Sequence, residues 1–151
     1  MMRFSDVIEP ARVATDVRAA DKADAIRAAS DLLGTSGGAA DASMIERAML
    51  ERETLSPTGV GDGVAIPHAL VDGAGRLRMA AMRLASPVDF GAPDGRPVDL
   101  VFAIVGPRDG AGEHLRLLSK LARALHDPGF RAAAREAQDG SALAGLILEK
   151  G

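Results

Sequence analysis

The sequence predicts one α/β domain over residues 1–151, built on a mixed central β-sheet flanked by helices. Three observations predict it. Amphipathic helical patterns occupy residues 22–33 and 41–53; strand patterns, one alternating and one continuously apolar, follow at 76–84 and 98–105; helical periodicity returns from residue 113 to the end. Helices, then strands, then helices, in a chain of single-domain length, leave a sheet covered by helices as the arrangement that buries the apolar faces.

Asp21 caps the helix at 22–33, with Asp24 in its first turn and Gly34 as its stop. Ala25, Ile26, Ala29, Leu32 and Leu33 give that helix its apolar face. Residues 35–40 read as a loop, and a second helix at 41–53 carries Ile45, Ala48, Met49 and Arg52 at helical spacing. Residues 55–63 interrupt regular structure: Gly59, Gly61 and Gly63 alternate after Pro57 and suit neither a helix nor a central strand. Residues 64–66 form a short buried strand that Pro67 ends, and His68 follows at a strand-to-loop turn.

Leu77, Met79 and Ala81 alternate with Arg78, Ala80 and Met82, a strand pattern, and residues 86–97 are rich in turns. Residues 98–105 make the strongest strand, apolar on both faces except at Asp99, followed by a flexible connection at 106–112. The clearest helix spans 113–127. His114, Leu118, Leu121 and Leu125 share its stripe, Leu115 and Leu117 flank it, and Pro128 ends it. Short helices at 130–137 and 141–148 close the chain.

Composition removes several classes of function. The net charge is −3 and the arginines are scattered, which excludes the basic face that nucleic acid requires. Without cysteine there is no disulfide framework, thiolate zinc site or cysteine nucleophile. Four Phe with no Trp or Tyr supply no stacking platform for bases or sugar rings. No apolar stretch approaches the length of a membrane span, and Arg3, Asp6 and Glu9 interrupt the first ten residues. A cytoplasmic protein without membrane insertion is the expectation.

The histidines are the side chains whose unperturbed titration lies near neutrality. His126, at a helix end beside Asp127 and Pro128, suits the negative helix terminus and reads as structural. His68 stays open between a residue at a strand mouth and a functional imidazole beside free glycine amides. His114 stays open between a core-edge residue and a neutral imidazole that donates to an anion at a helix N-terminus. Both histidines with Glu113 match no metal-ligand spacing, so no metal is expected. Gly59-x-Gly61-x-Gly63 is neither a dinucleotide fingerprint nor a Walker A loop, which argues against ATP.

One long motif is more specific than any of these signals. Arg52-Glu53-x-Leu55-x-x-Thr58-Gly59-Val60-Gly61-Asp62-Gly63-Val64-Ala65-Ile66-Pro67-His68 closely resembles the signature of the type 2 Enzyme IIA domains. These belong to the phosphoenolpyruvate-dependent sugar phosphotransferase system, in its fructose, mannitol and nitrogen-regulatory group. Pro87 to Phe102 resembles the same family's central strand, and Glu113-His114-Leu115-x-x-Leu118-x-x-Leu121 its second histidine segment. The N-terminal stretch, with Lys22 opening its helix, is similar too.

The resemblance implies the Enzyme IIA type 2 fold and a phosphohistidine carrier, a phosphotransferase component. His68 is the implied phospho-acceptor, flanked by His114 and Arg52. Thr58 and the amides of Gly59, Gly61 and Gly63 are expected to bind phosphate, with no metal or bound cofactor. The implied donor is HPr or an HPr-like phosphocarrier protein, and the implied recipient is a IIB domain or a regulatory target protein. The alternative implied is a regulatory binding protein of the nitrogen-regulatory type, switched by phosphorylation of His68. A metal-dependent hydrolase using His68 and His114 is a third reading and requires a bound metal. Against the family pattern, Ser56-Pro57 stiffens the loop entrance, Ala69 replaces a frequent glycine, and Asp62 would repel a phosphoryl group if it faced the site.

Overall fold

The structure, a computed structural model, describes residues 2–34 and 40–151; the loop expected at 35–40 lies outside these residues except for Ala40. The first strand, β1 (Val13–Val17), has no counterpart in the sequence expectation. Helices α1 (Lys22–Leu33) and α2 (Ala42–Leu55) follow. The strands β2 (Gly59–Gly61), β3 (Val64–Ala65), β4 (His68–Leu70), β5 (Arg78–Val88) and β6 (Val98–Gly106) come next. Helices α3 (Ala111–Leu125), α4 (Pro128–Glu136) and α5 (Gly140–Glu149) complete the chain.

Aspartates start most of the helices. Asp21, Asp41, Asp127 and Asp139 accept the N–H groups of Asp24, Met44, Gly129 and Ala142 at 2.8–3.0 Å, occupying amides that a first helical turn leaves without partners. With Asp127 as the cap, Pro128 is the first residue of α4, a position where its fixed φ and missing N–H cost nothing. Pro128 therefore opens a helix as well as following one. None of the helices among the described residues is long and apolar enough to cross a membrane.

The sheet is mixed, as expected, in the order β1-β5-β6-β3-β2, with β4 also paired to β6. β5 runs antiparallel to β6, whereas β3 and β4 run parallel to it one after the other. Alternation along β6 divides the interior into two cores. Leu100, Phe102 and Ile104 join Leu117, Leu121, Phe130 and Leu143 on the α3–α4–α5 side. Val101, Ala103 and Val105 join Ile26, Leu33, Ile45 and Met49 on the α1–α2 side. Burial on both faces makes β6 the rigid spine against which the site is built.

Four sequence expectations change. β1 is short, Asp16 adopts φ 57, and its register with β5 shifts between Ala14 and Val17, so no clean alternation marks it. α5 begins on Gly140 because a Cβ there would lie 2.4 Å from the Val13 carbonyl oxygen, a separation no side chain tolerates. The glycine-rich segment forms an edge hairpin, β2–β3, whose turn residues Asp62 and Gly63 have φ 58 and 76, the left-handed pair of a type I′ turn. Finally, His68 belongs to a strand and not to a strand-to-loop turn. The Pro67 carbonyl accepts the Ile104 N–H at 3.0 Å, so the chain keeps its pairing with β6 through the proline and resumes as β4.

Candidate functional site

His68 is half-buried, and its Nδ1 lies 2.7 Å from the carbonyl oxygen of Ile66. A carbonyl only accepts, so Nδ1 carries the proton and Nε2 keeps a free lone pair. Because Ile66 precedes Pro67, the accepting carbonyl sits on a backbone of restricted shape, which fixes the ring as well as its tautomer. Burial holds the His68 pKa below the usual histidine value; the bond to Ile66 and the charge of Glu53 oppose that shift, and the charge of Arg52 adds to it. The result is a neutral imidazole with an available nitrogen.

His114 lies in the first turn of α3 and is 6% exposed. Its ring centroid is 5.5 Å from that of His68, with the planes tilted by 54°. Neither of its nitrogens has a hydrogen-bond partner among the described residues. Burial, with a smaller effect from His68, pushes its pKa down to about 4, so it too is neutral near pH 7. The helix N-terminus acts in the same direction. A buried polar ring normally has a partner, so an unpartnered one beside a ring with an available nitrogen marks the pair as the candidate site.

The two rings meet in a cleft of about 700 Å³ between the end of α2, β4 and the start of α3. Arg52 lines it while its Nη1 donates to the Ser56 carbonyl at 2.9 Å, so one side chain both caps α2 and brings a cation to the cleft. Arg108, which the sequence reading does not single out, stands in the same lining and pairs with Asp72 at 3.3 Å. Leu55 and Leu115, 81% and 64% exposed, also line it, from α2 and α3 respectively. Leu117, rather than Leu118, carries the buried stripe of α3, which leaves the half-buried Leu118 in the cleft lining.

The structure does not bring the expected phosphate-binding set to this cleft. Thr58 is buried, and its N–H and Oγ1 both donate to Glu53, so its hydroxyl proton is already committed. Gly59 packs against Phe90 and Ala92, where a Cβ would sit at 3.2 Å. Gly61 lines a separate groove with Val60, Asp62, His126 and Arg131. Gly63 is backed by Arg135 and Asp99. These glycines serve the hairpin and its packing, and the adjacent Asp62 N–H donates to Asp94 at 2.9 Å. Asp62 itself pairs with Arg96 at 3.7 Å and Arg131 at 3.9 Å, outside the cleft, so its carboxylate does not confront a group on His68. No three His, Asp or Glu side chains among the described residues are grouped as metal ligands.

Glu53 is the residue whose part the sequence reading leaves out, although the motif contains it. It is 9% exposed, and its carboxylate accepts Lys22 Nζ at 3.0 Å and the Thr58 N–H at 2.9 Å. Lys22, brought from α1, also donates to the Phe90 carbonyl at 3.2 Å. The available signal was the acid two residues before a polar loop, in a helix end that otherwise favours cations.

The family model described as phosphoenolpyruvate-dependent sugar phosphotransferase system, EIIA 2, matches residues 6–150. A nitrogen regulatory protein of Pseudomonas aeruginosa is 33% identical over 149 residues, covering 99% of this chain and 97% of its own. The fructose-specific EIIA component of a phosphotransferase system in Haloferax volcanii is 36% identical over 130 residues, covering 86% and 84%. Among solved structures, the nitrogen regulatory protein IIA-Ntr of Neisseria meningitidis matches with a TM-score of 0.85 at 28% identity, covering 94% of this chain and 97% of that one.

Proposed function

The chain belongs to the EIIA 2 family of the phosphoenolpyruvate-dependent sugar phosphotransferase system, and from that premise we propose that it carries a phosphoryl group on Nε2 of His68. The observation that carries this reading is the pairing of a neutral His68, its Nε2 free, with an unpartnered neutral His114 in one cleft. The donor is the phosphohistidine of HPr or an HPr-like protein. The Nε2 lone pair forms the new N–P bond as the donor's N–P bond breaks, and that electron pair returns to the donor imidazole. Nδ1 keeps its proton, so the phosphorylated ring is cationic, and the Ile66 carbonyl stabilises that charge. Arg52, Arg108 and the N-terminus of α3 offset the charge of the phosphoryl oxygens, and His114 donates to one of them. Exposed Leu55 and Leu115 give a protein partner an apolar hold around the reacting ring.

Onward transfer divides into two readings. A IIB domain as recipient makes the chain a transport component; a target protein that senses His68 phosphorylation makes it a regulator. The match to a nitrogen regulatory protein over 99% of the chain favours the regulatory branch. Mixing the protein with phosphoenolpyruvate, Enzyme I and HPr tests the carrier reading by intact-protein mass at alkaline pH. One acid-labile phosphoryl group is the expected result; no mass gain with the cognate donors would remove it.

A further inference from the structure

Glu53 occupies an expensive position: a buried carboxylate in the last turn of α2, where the helix dipole disfavours negative charge. Its hydrogen bonds show what holds it there. Lys22 Nζ and the Thr58 N–H and Oγ1 all donate to it, tying α1, α2 and the segment entering β2 to one group. The connection continues past Thr58. The Thr58 carbonyl accepts the Ile66 N–H at 2.9 Å, and the Ile66 carbonyl accepts Nδ1–H of His68 at 2.7 Å. An unbroken run of contacts thus leads from Lys22 through Glu53, Thr58 and Ile66 to the ring.

We infer that Glu53 is a positioning residue for phosphoryl acceptance: it fixes Thr58 and, through Thr58, the Ile66 carbonyl that holds His68 in its Nδ1–H tautomer. Glu53 touches none of the reacting atoms. This gives the Thr58 hydroxyl a supporting place in the hydrogen-bond run in place of contact with phosphate. It also explains Lys22, whose charge compensates a carboxylate that would otherwise be buried alone. The inference rests on His68 as the acceptor, but its primary readout, the ring tautomer, is taken on unphosphorylated protein.

The experiment uses ring-15N-labelled histidine and long-range proton–nitrogen correlation at about pH 8, where an ordinary histidine is neutral. Wild-type His68 shows protonated Nδ1 and bare Nε2. Glu53→Ala gives a mixture of both tautomers and slows phosphoryl acceptance by about 10- to 100-fold, the size of loss that small misplacements of a reacting group cause. Glu53→Gln preserves the wild-type tautomer, because its amide oxygen still receives Lys22 and the Thr58 N–H while its NH₂ reaches Thr58 Oγ1. Thr58→Val removes a single hydroxyl and also gives mixed tautomers, which keeps the test open should Glu53→Ala fail to fold. Folded Glu53→Ala or Thr58→Val protein with a pure Nδ1–H tautomer overturns the inference, whatever its rate. Failure of His68 as acceptor has a different signature: wild-type protein that gains no phosphate, or gains it at another residue.

Discussion

Replacing His68 with alanine abolishes phosphoryl acceptance, and replacing His114 with alanine slows it by about 10²- to 10³-fold without moving the phosphate elsewhere. The contrast follows from the different parts the two rings play. In the proposed reaction His68 supplies the atom to which the new bond forms; without Nε2 there is no acceptor. On the same proposal His114, buried and without a hydrogen-bond partner among the described residues, supplies a preorganised donor desolvated before the reaction starts, and such donors are worth most in a water-poor site. Its depressed pKa, about 4, keeps it neutral, so it does not repel a cationic phosphorylated ring 5.5 Å away. Timed quenching followed by intact-protein mass separates the two variants, and peptide mapping locates the phosphate. His114→Gln, which retains an N–H donor, recovers part of the rate. Wild-type speed in His114→Ala would show that the ring is only packed beside the site.

Acidification from pH 7 to pH 4 lowers folding stability by about 3 kcal/mol through His114 alone. In the unfolded chain this histidine titrates near pH 6.5, an ordinary value; in the folded protein it titrates at about 4. Between those values the unfolded state binds more protons, so stability falls as pH falls through that window and levels off below it. His68, also shifted downward by burial, steepens the same slope. Urea unfolding at a series of pH values measures the effect. His114→Gln, which cannot titrate, flattens the slope; an unchanged slope in that variant would place the titration elsewhere. Phosphoryl acceptance has the same sign, since it fails as acid protonates the Nε2 lone pair of His68.

The parts of this fold that are legible in the sequence are those in which local pattern and tertiary packing agree. α1 carries its aspartate cap and a clean apolar face, and β6 is apolar on both sides, so each reads correctly from its own residues. β1 does not, because its pairing with β5 supplies what its five residues lack, and Asp16 breaks the alternation. The β2–β3 hairpin was hidden by its glycines, although Asp62-Gly63 is the dipeptide that an I′ turn prefers. In the cleft, His68 and His114 are visible as motif positions, but their meeting depends on β4 and the start of α3 lying together at one end of β6. The direction of the Thr58 hydroxyl was not legible at all. It follows from Glu53, which is held in place by Lys22 from a different helix, and no spacing rule within one segment reports such a contact.

The most direct measurement is the atom that carries the phosphate. Protein labelled with 15N in its histidine rings, phosphorylated through HPr and kept alkaline, reports the N–P bond through 15N–31P coupling. Phosphorus coupled to Nε2 of His68, with Nδ1 still protonated and bonded to Ile66, is the predicted result. Phosphorus on Nδ1 of His68, or on His114, would contradict it, because the ring would then have to abandon the contact that holds its tautomer or leave the acceptor role to its neighbour.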